Sequence, residues 1–240
     1  MYYSLAKFFL SLLDLKNKKK MCNYFLEENK GRIQILIDVG AHHGESIRFF
    51  NKHFSIDEIY AFEPSIDNFK ILKEKVKDIK NIKFFNIAVG NKKGFINFTN
   101  HYDSESSTII KINQKSNYFK KKNFYLDFFN KKKNSLKNTQ VKINSLENLI
   151  NIDEFKVIDL IKIDTEGYDF NVIKGLGNLI TKVRFIYFEH HFHDMLQKNY
   201  TLSDIHYYLS KNNFKKVFKN KMFFRKTFEY IYINNALINE

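Results

Sequence analysis

The chain has 240 residues, 44% of them apolar, which is enough for one substantial core and sits at the upper end of what a single domain holds. Its one cysteine, Cys22, excludes an intrachain disulfide and a thiolate metal cluster, and fits a reducing, cytoplasmic setting. The net charge of +14 invites a polyanion-binding role, but only four of the 40 basic residues are arginines, the side chain suited to bidentate phosphate contacts. Lys, Asn, Ile and Phe are all abundant and have A/T-rich codons, which accounts for much of the excess.

Leu5, Phe8, Phe9, Leu12, Leu13 and Leu15 recur at three- and four-residue spacing and predict an amphipathic helix, ended by the lysine run in a solvated turn. Lys7 and Asp14 interrupt its apolar run, and no small-residue cleavage site follows a basic start, so it reads neither as a spanning helix nor as a signal peptide. Docking on its own domain is the commoner use of such a helix, and lying on a membrane surface is the minor one.

From Ile33 the run IQILIDVG predicts a buried strand ending at glycine, with a helix from 45 to 53. EIYAFEP reads as strand and turn, DNFKILKEKVKDI as a helix, and IKFFNIAVG as a third strand. NKKGFINFTN, residues 91 to 100, reads as a hairpin excursion. Residues 101–140 carry two KKK runs and many aromatics with neither glycine nor proline, and read as a partly helical lysine-rich insertion or lid. VKINSLENLI is a strand entering a helix with Ser145 as N-cap. VIDLIKIDTEGYDFNVIKGL is strand, charged turn and helix. VRFIYFEHHFHDM is a strand ending in an acid and histidines, and residues 214–234 close the sheet edge as a hairpin. Strands and helices alternating at this interval predict an α/β fold with a parallel sheet covered on both faces. The expected organisation is a helical extension over 1–30 and one domain over 31–240.

Ligands of open parallel sheets bind beyond the carboxyl ends of the strands, and here those ends carry Asp38, Glu63, Asn86, Asp164, Glu166, Glu189 and His191. In DVGAHHG, Gly40 and Gly44 allow a tight turn close to a ligand, and Asp38 can accept from a cationic amine. Glu63, 25 positions later, can take both ribose hydroxyls of an adenosine. A dinucleotide loop has G-x-G-x-x-G, whereas this one is G-x-x-x-G behind an acid that repels a pyrophosphate, and no phosphate loop G-x-x-x-x-G-K-[ST] occurs. S-adenosylmethionine, an ammonium without phosphate, matches better. In an extended IKIDTEGYDF, Asp164 and Glu166 point to one side, although Thr165 and Glu166 can equally begin and cap the next helix. In FEHHFHD, three histidines lie within four residues, which by itself defines no metal site.

The order DVGAHHGES, YAFEPS, NIAVGNKKG, SST, INSLENLI, IDLIKIDTEGYDFNVIKG and FEHH resembles the FkbM family of S-adenosylmethionine-dependent methyltransferases across roughly residues 33 to 192, most specifically in its FEP and K-I-D-x-E-G segments. The resemblance implies a Rossmann-like methyltransferase fold, a mostly parallel seven-stranded sheet with an antiparallel edge hairpin. It also implies O-methylation of a hydroxyl on a sugar, as in a nucleotide sugar or capsular polysaccharide component, or on a similar metabolite. By position, Asp38, Gly40, Ala41, His43, Gly44, Ser46, Glu63 and Pro64 would line the cofactor, with Asn86 and Ala88 near the adenine. Asp164, Glu166, Glu189 and His191 would face the acceptor. His42 departs from the family's usual asparagine.

A sugar hydroxyl is a weak acid, so methyl transfer needs a base, His191 or Asp164, with Glu166 and Glu189 holding acceptor hydroxyls, with or without a divalent ion such as Mg or Mn. The lysine-rich insertion would supply positive charge to a nucleotide-linked or phosphorylated acceptor. A homo-oligomer is compatible with this reading. The competing enzyme is a nicotinamide-dependent sugar oxidoreductase, and the non-enzyme alternative is a basic membrane or nucleic-acid binding module. A nucleic-acid methyltransferase is disfavoured, because Pro64 is the only proline and Cys22 lies outside the sheet.

Overall fold

A computed structural model describes residues 19–25, 27, 31–101, 106–129, 136–151, 153, 155–222 and 225–238, without the side chains of 125–129. The amphipathic helix expected over 5–15 lies outside the described residues. Lys19 and Lys20, expected in a turn, are helical. Met21, Cys22 and Phe25 on the same helical segment are buried, with Phe25 edge-on to Phe50 and Phe185, and this apolar face holds the lysines in the helix.

The main sheet has seven strands. β1 (Arg32–Val39), β2 (Ser55–Phe62), β3 (Ile82–Phe85), β7 (Ile158–Ile163) and β8 (Val183–His191) run parallel, and β9 (Phe214–Lys221) and β10 (Thr227–Asn234) form the antiparallel edge, in the order β3-β2-β1-β7-β8-β10-β9. The chain moves outward from β1 to β3, then returns to β7 on the other side of β1, so a crevice opens beyond the ends of β1 and β7.

From Ile35 onward, successive side chains of β1 serve opposite faces. Leu36 and Ile33 join one core with α1 (Glu45–His53), α2 (Ile66–Lys75) and the helical segment at 19–25. Ile35, Ile37 and Val39 join the other, with α4 (Leu146–Leu149), α5 (Asp169–Lys174) and α6 (Leu202–Lys211). Ser145 stands before α4 but its side chain makes no capping bond; Asn144 Oδ1 accepts from its N–H instead.

Three expectations are corrected. IKFFNIAVG is not one strand: β3 ends at Phe85, and β4 (Ala88–Val89) belongs to a second, three-stranded sheet with β5 (Gly94–Asn100) and β6 (Lys137–Asn144), in the order β4-β6-β5. Residues 94–100 are therefore no local hairpin; β5 pairs antiparallel with β6, on the far side of the insertion. The strand before the histidines also continues further than expected, because β10 supplies partners for Glu189, His190 and His191.

The insertion carries α3 (Asn117–Phe129) and is docked. Asn113 N–H donates to Met195 O at 2.7 Å, Gln197 N–H to Lys111 O at 3.0 Å, and Ile112 and Phe119 bury against Met195 and Leu196. It is thereby fixed over the loop that follows β8.

Candidate active site

β1 ends in a turn that glycine alone fits. Gly40 has φ 80°, and a Cβ there would stand 1.9 Å from Asp164 O. Gly44, φ 85°, lies so close to α2 that a Cβ would meet Val76 Cγ1 at 2.6 Å. The loop is then tied to the end of β2. Gly40 and Ala41 N–H both donate to Phe62 O at 3.0 Å, and His42 N–H donates to Glu63 Oε2 at 3.0 Å. Glu63 Oε1 accepts from Ser65 N–H at 2.8 Å. Burial pushes the Glu63 carboxyl up to about 7, against those donors. Asn86 donates to the carbonyls of Glu63 (2.8 Å) and Pro64 (3.1 Å). Ser46 lies in the first turn of α1, and Ala88 is buried at the start of β4. His43 Nε2 lies 3.2 Å from Asn68 Oδ1 on α2.

Asp38 is 0% exposed, so it acts beneath the loop. Its cross-strand partner on β7 is Lys162, whose ammonium lies 3.2 Å from Asp38 and 3.5 Å from Asp164 and donates to Gly40 O at 3.3 Å. Burial alone would lower Lys162, but Asp38, Asp164 and Glu189 outweigh it and raise it, so the amine stays charged. Lys162 is not among the strand-end residues expected to form the site. Its signal was there: a cation within the buried run IDLIKI, which only a buried anion can accommodate.

The segment after β7 is not extended. Glu166 (φ 48°) and Gly167 (φ 92°) turn left-handed. Asp169 accepts from Thr165 N–H (3.0 Å) and Oγ1 (2.8 Å), Tyr200 OH donates to Gly167 O (2.7 Å), and Thr108 Oγ1 of the insertion donates to Glu166 O (2.7 Å). Asp164 and Glu166 therefore diverge, one toward Lys162, the other to 3.6 Å from His191 Nε2. Glu166 does not cap the next helix, because Asp169 bonds Thr165 in its place.

His191 is buried, with Nδ1 3.0 Å from Thr227 Oγ1 of β10. Burial, then the neighbouring His193, Lys198 and His190, hold it well below the usual imidazole range, so it is neutral. Burial pushes the Glu189 carboxyl well up, helped by Asp164, Glu229 and Glu166. His193 stacks on Tyr118 of α3 at 4.1 Å, and Lys198 donates to His191 O. The insertion thus covers the histidine cluster that ends β8.

The structure brings Asp38, Gly40 and Asp164 together through Lys162, and Glu166 together with His191. Asp164, Glu166, Glu189 and His191 do not converge on one point as metal ligands. Among the described residues, the His, Asp and Glu group whose ligand atoms do converge is His42, His43 and Glu45, all within 4.8 Å of one another. A metal at the ends of β7 and β8 does not fit these side chains.

Five parallel strands with an antiparallel edge pair, helices on both faces and a polar crevice at the switch in strand order define a Rossmann-like methyltransferase fold. The model of the methyltransferase FkbM domain matches residues 38–216, and the chain belongs to that family. Among solved structures it is similar to a methyltransferase FkbM from Methylobacillus flagellatus, with 14% identity and a TM-score of 0.54 over 84% of this chain. The match spans 43% of that longer protein. It is also similar to a magnesium protoporphyrin IX methyltransferase from Synechocystis, with S-adenosylmethionine bound, with 7% identity and a TM-score of 0.52 over 92% of this chain and 79% of that one. No curated protein matches the sequence. Among the described residues, no helix is long and apolar enough to cross a membrane.

Proposed function

We propose that this chain is a cytoplasmic S-adenosylmethionine-dependent O-methyltransferase whose acceptor is a hydroxyl of a sugar, as a nucleotide sugar or a component of a surface glycan. The observation that carries it is the pairing of a buried, neutral His191 with the Glu166 carboxylate at 3.6 Å, beside strand ends that abut a glycine-turned loop.

S-adenosylmethionine, when bound, supplies an electrophilic methyl group on a sulfonium. Gly40 and Gly44 let the loop backbone approach it, and Glu63, whose two oxygens keep lone pairs beyond those given to His42 and Ser65, takes the ribose hydroxyls. Asp38 reaches the amine end only through the field beneath the loop, since Lys162 already neutralises it.

On the acceptor side the base is His191 rather than Asp164, because Asp164 is engaged by Lys162. With Nδ1–H donating to Thr227 Oγ1, Nε2 presents its lone pair to the acceptor hydroxyl and takes its proton as the oxygen is methylated. Glu166 then stabilises the imidazolium that forms. Glu189, whose carboxyl burial pushes well up toward the protonated form, faces a second acceptor hydroxyl. The docked insertion excludes water and adds lysine charge where a nucleotide-linked acceptor would carry phosphate.

Melting temperature and labelled methyl transfer test this together. S-adenosylhomocysteine at 100 times its Kd is expected to stabilise the fold by about 2.7 kcal/mol, with no shift from NAD(H). Label from S-adenosylmethionine is expected on sugars of a nucleotide-sugar panel, with and without chelator. A shift with NAD(H) and none with S-adenosylhomocysteine would establish the oxidoreductase instead.

A further inference from the structure

The loop between β1 and α1 holds a second constellation, to which the proton and methyl transfers above give no step, although the family resemblance sets its His43 beside the cofactor. His42 and His43 stack at 3.7 Å between ring centres. His42 Nδ1 is 3.4 Å from Glu45 Oε2, and His43 Nδ1 is 3.8 Å from Glu45 Oε1. Two donors bound tetrahedrally to Zn²⁺ at its usual bond lengths stand about 3.3 Å apart; the three ligand atoms here lie within 4.8 Å of one another, so movements of up to about 1.5 Å in these partly exposed side chains would close the set.

Asn68 decides which ring nitrogen of His43 is available. Its Oδ1 faces His43 Nε2 at 3.2 Å. His43 Nε2 must then carry the proton and donate to Oδ1. That leaves the bare lone pair of Nδ1 pointed at a carboxylate. Two electron-rich atoms face each other with room between them for a cation. A histidine whose far N–H is held by a buried carbonyl oxygen, with its near nitrogen turned to a carboxylate, is the outer-shell arrangement that metal-ligating histidines use.

We propose that the loop carries a binding site for a divalent transition-metal ion, Zn²⁺ or a cation of similar ligand preference, held by His42 Nδ1, His43 Nδ1 and a Glu45 carboxylate oxygen. Two imidazoles and one carboxylate favour Zn²⁺, Ni²⁺ or Co²⁺ over Mg²⁺, which prefers all-oxygen surroundings. Three protein donors leave a fourth position for water or another ligand. The exposed Lys75, 3.7 Å from Glu45 Oε1, is the charge such an ion would displace. Because His42 N–H also donates to Glu63, the ion would fasten the loop to the end of β2.

The site itself does not depend on the methyltransferase assignment, and its test uses no cofactor. Zn²⁺ is titrated calorimetrically into the untagged full chain, and Co²⁺ binding is followed by visible ligand-field absorption. One saturable site is expected, weakened at least tenfold by H43A or E45Q and by H42N, asparagine being a residue that tolerates the left-handed φ of 48° there. H193A, in the distant histidine cluster, leaves binding unchanged, and K75Q tightens it. Absence of saturable binding at submillimolar ion overturns the proposal, as does binding that survives H43A and E45Q or is abolished by H193A. Unchanged melting curves of the metal-free variants separate ligand loss from unfolding.

Discussion

The ends of β1 and β2 and the ends of β7 and β8 lie side by side, yet they are built differently. On the first side polar groups are answered by partners close in sequence: Glu63 by His42, 21 residues away, Asn86 by Glu63, 23 away, and His43 by Asn68, 25 away. Most of these bonds involve backbone, so the loop's shape tolerates changes in side chains. On the second side the partners are remote. Lys162 reaches Gly40 across 122 positions, Thr108 reaches Glu166 across 58, and His191 meets Thr227 across 36. A cofactor common to many enzymes can be held by a local backbone cradle, whereas a particular acceptor needs side chains gathered from the whole fold.

Substitutions that strike one side only are the sharpest way to break this contrast. His191→Ala is expected to lower kcat by about 100- to 10,000-fold, the range for losing a general base, while S-adenosylhomocysteine affinity stays within twofold of normal. Equal losses in both would dissolve the division. Lys162→Met strikes the junction itself. It strands the buried Asp38 and is expected to cost about 3–5 kcal/mol of stability, read from denaturant unfolding. Adding Asp38→Asn should restore much of that loss, and strict additivity of the two changes would show that the pair does not couple.

Glu63→Gln is the mirror of the histidine change. Replacing an acceptor carboxylate should weaken S-adenosylhomocysteine by about 10- to 100-fold and leave kcat at saturating cofactor nearly intact. The smallest effect is on pH dependence. Burial, then Lys198, lowers His190 and His193 to about 4, below their ordinary 6.5. Between those values the unfolded chain binds protons that the folded chain refuses, so the stability present above pH 6.5 is lost as pH falls through about 4. His193→Gln should flatten the fall in melting temperature over that window. An unaltered slope would locate the acid sensitivity elsewhere.

Much of the loop after β1 was legible because its signals are local. DVGAHHG ends a β-branched run, Gly40 and Gly44 mark backbone that only glycine adopts, and Glu63 arrives one strand later. The ends of β7 and β8 were legible only as a set of residue types. IKIDTEG looked extended because nothing within it announces that Asp169 and Thr108 will fold it into a left-handed turn. The histidines looked like a loop because their strand partners are on β10.

The sequence by itself determined the alternation of strands and helices, the glycine turn and the family, since all three rest on spacing along the chain. Which carboxylates keep their charge, which histidine faces one, and that β5 pairs across the insertion with β6 were decided by tertiary structure alone. Register sets Asp38 opposite Lys162, the neighbouring carboxylates hold that ammonium charged against burial, Asp164 is engaged by the same amine, and burial leaves His191 neutral. Those are properties of neighbours in space, and a linear pattern does not encode them.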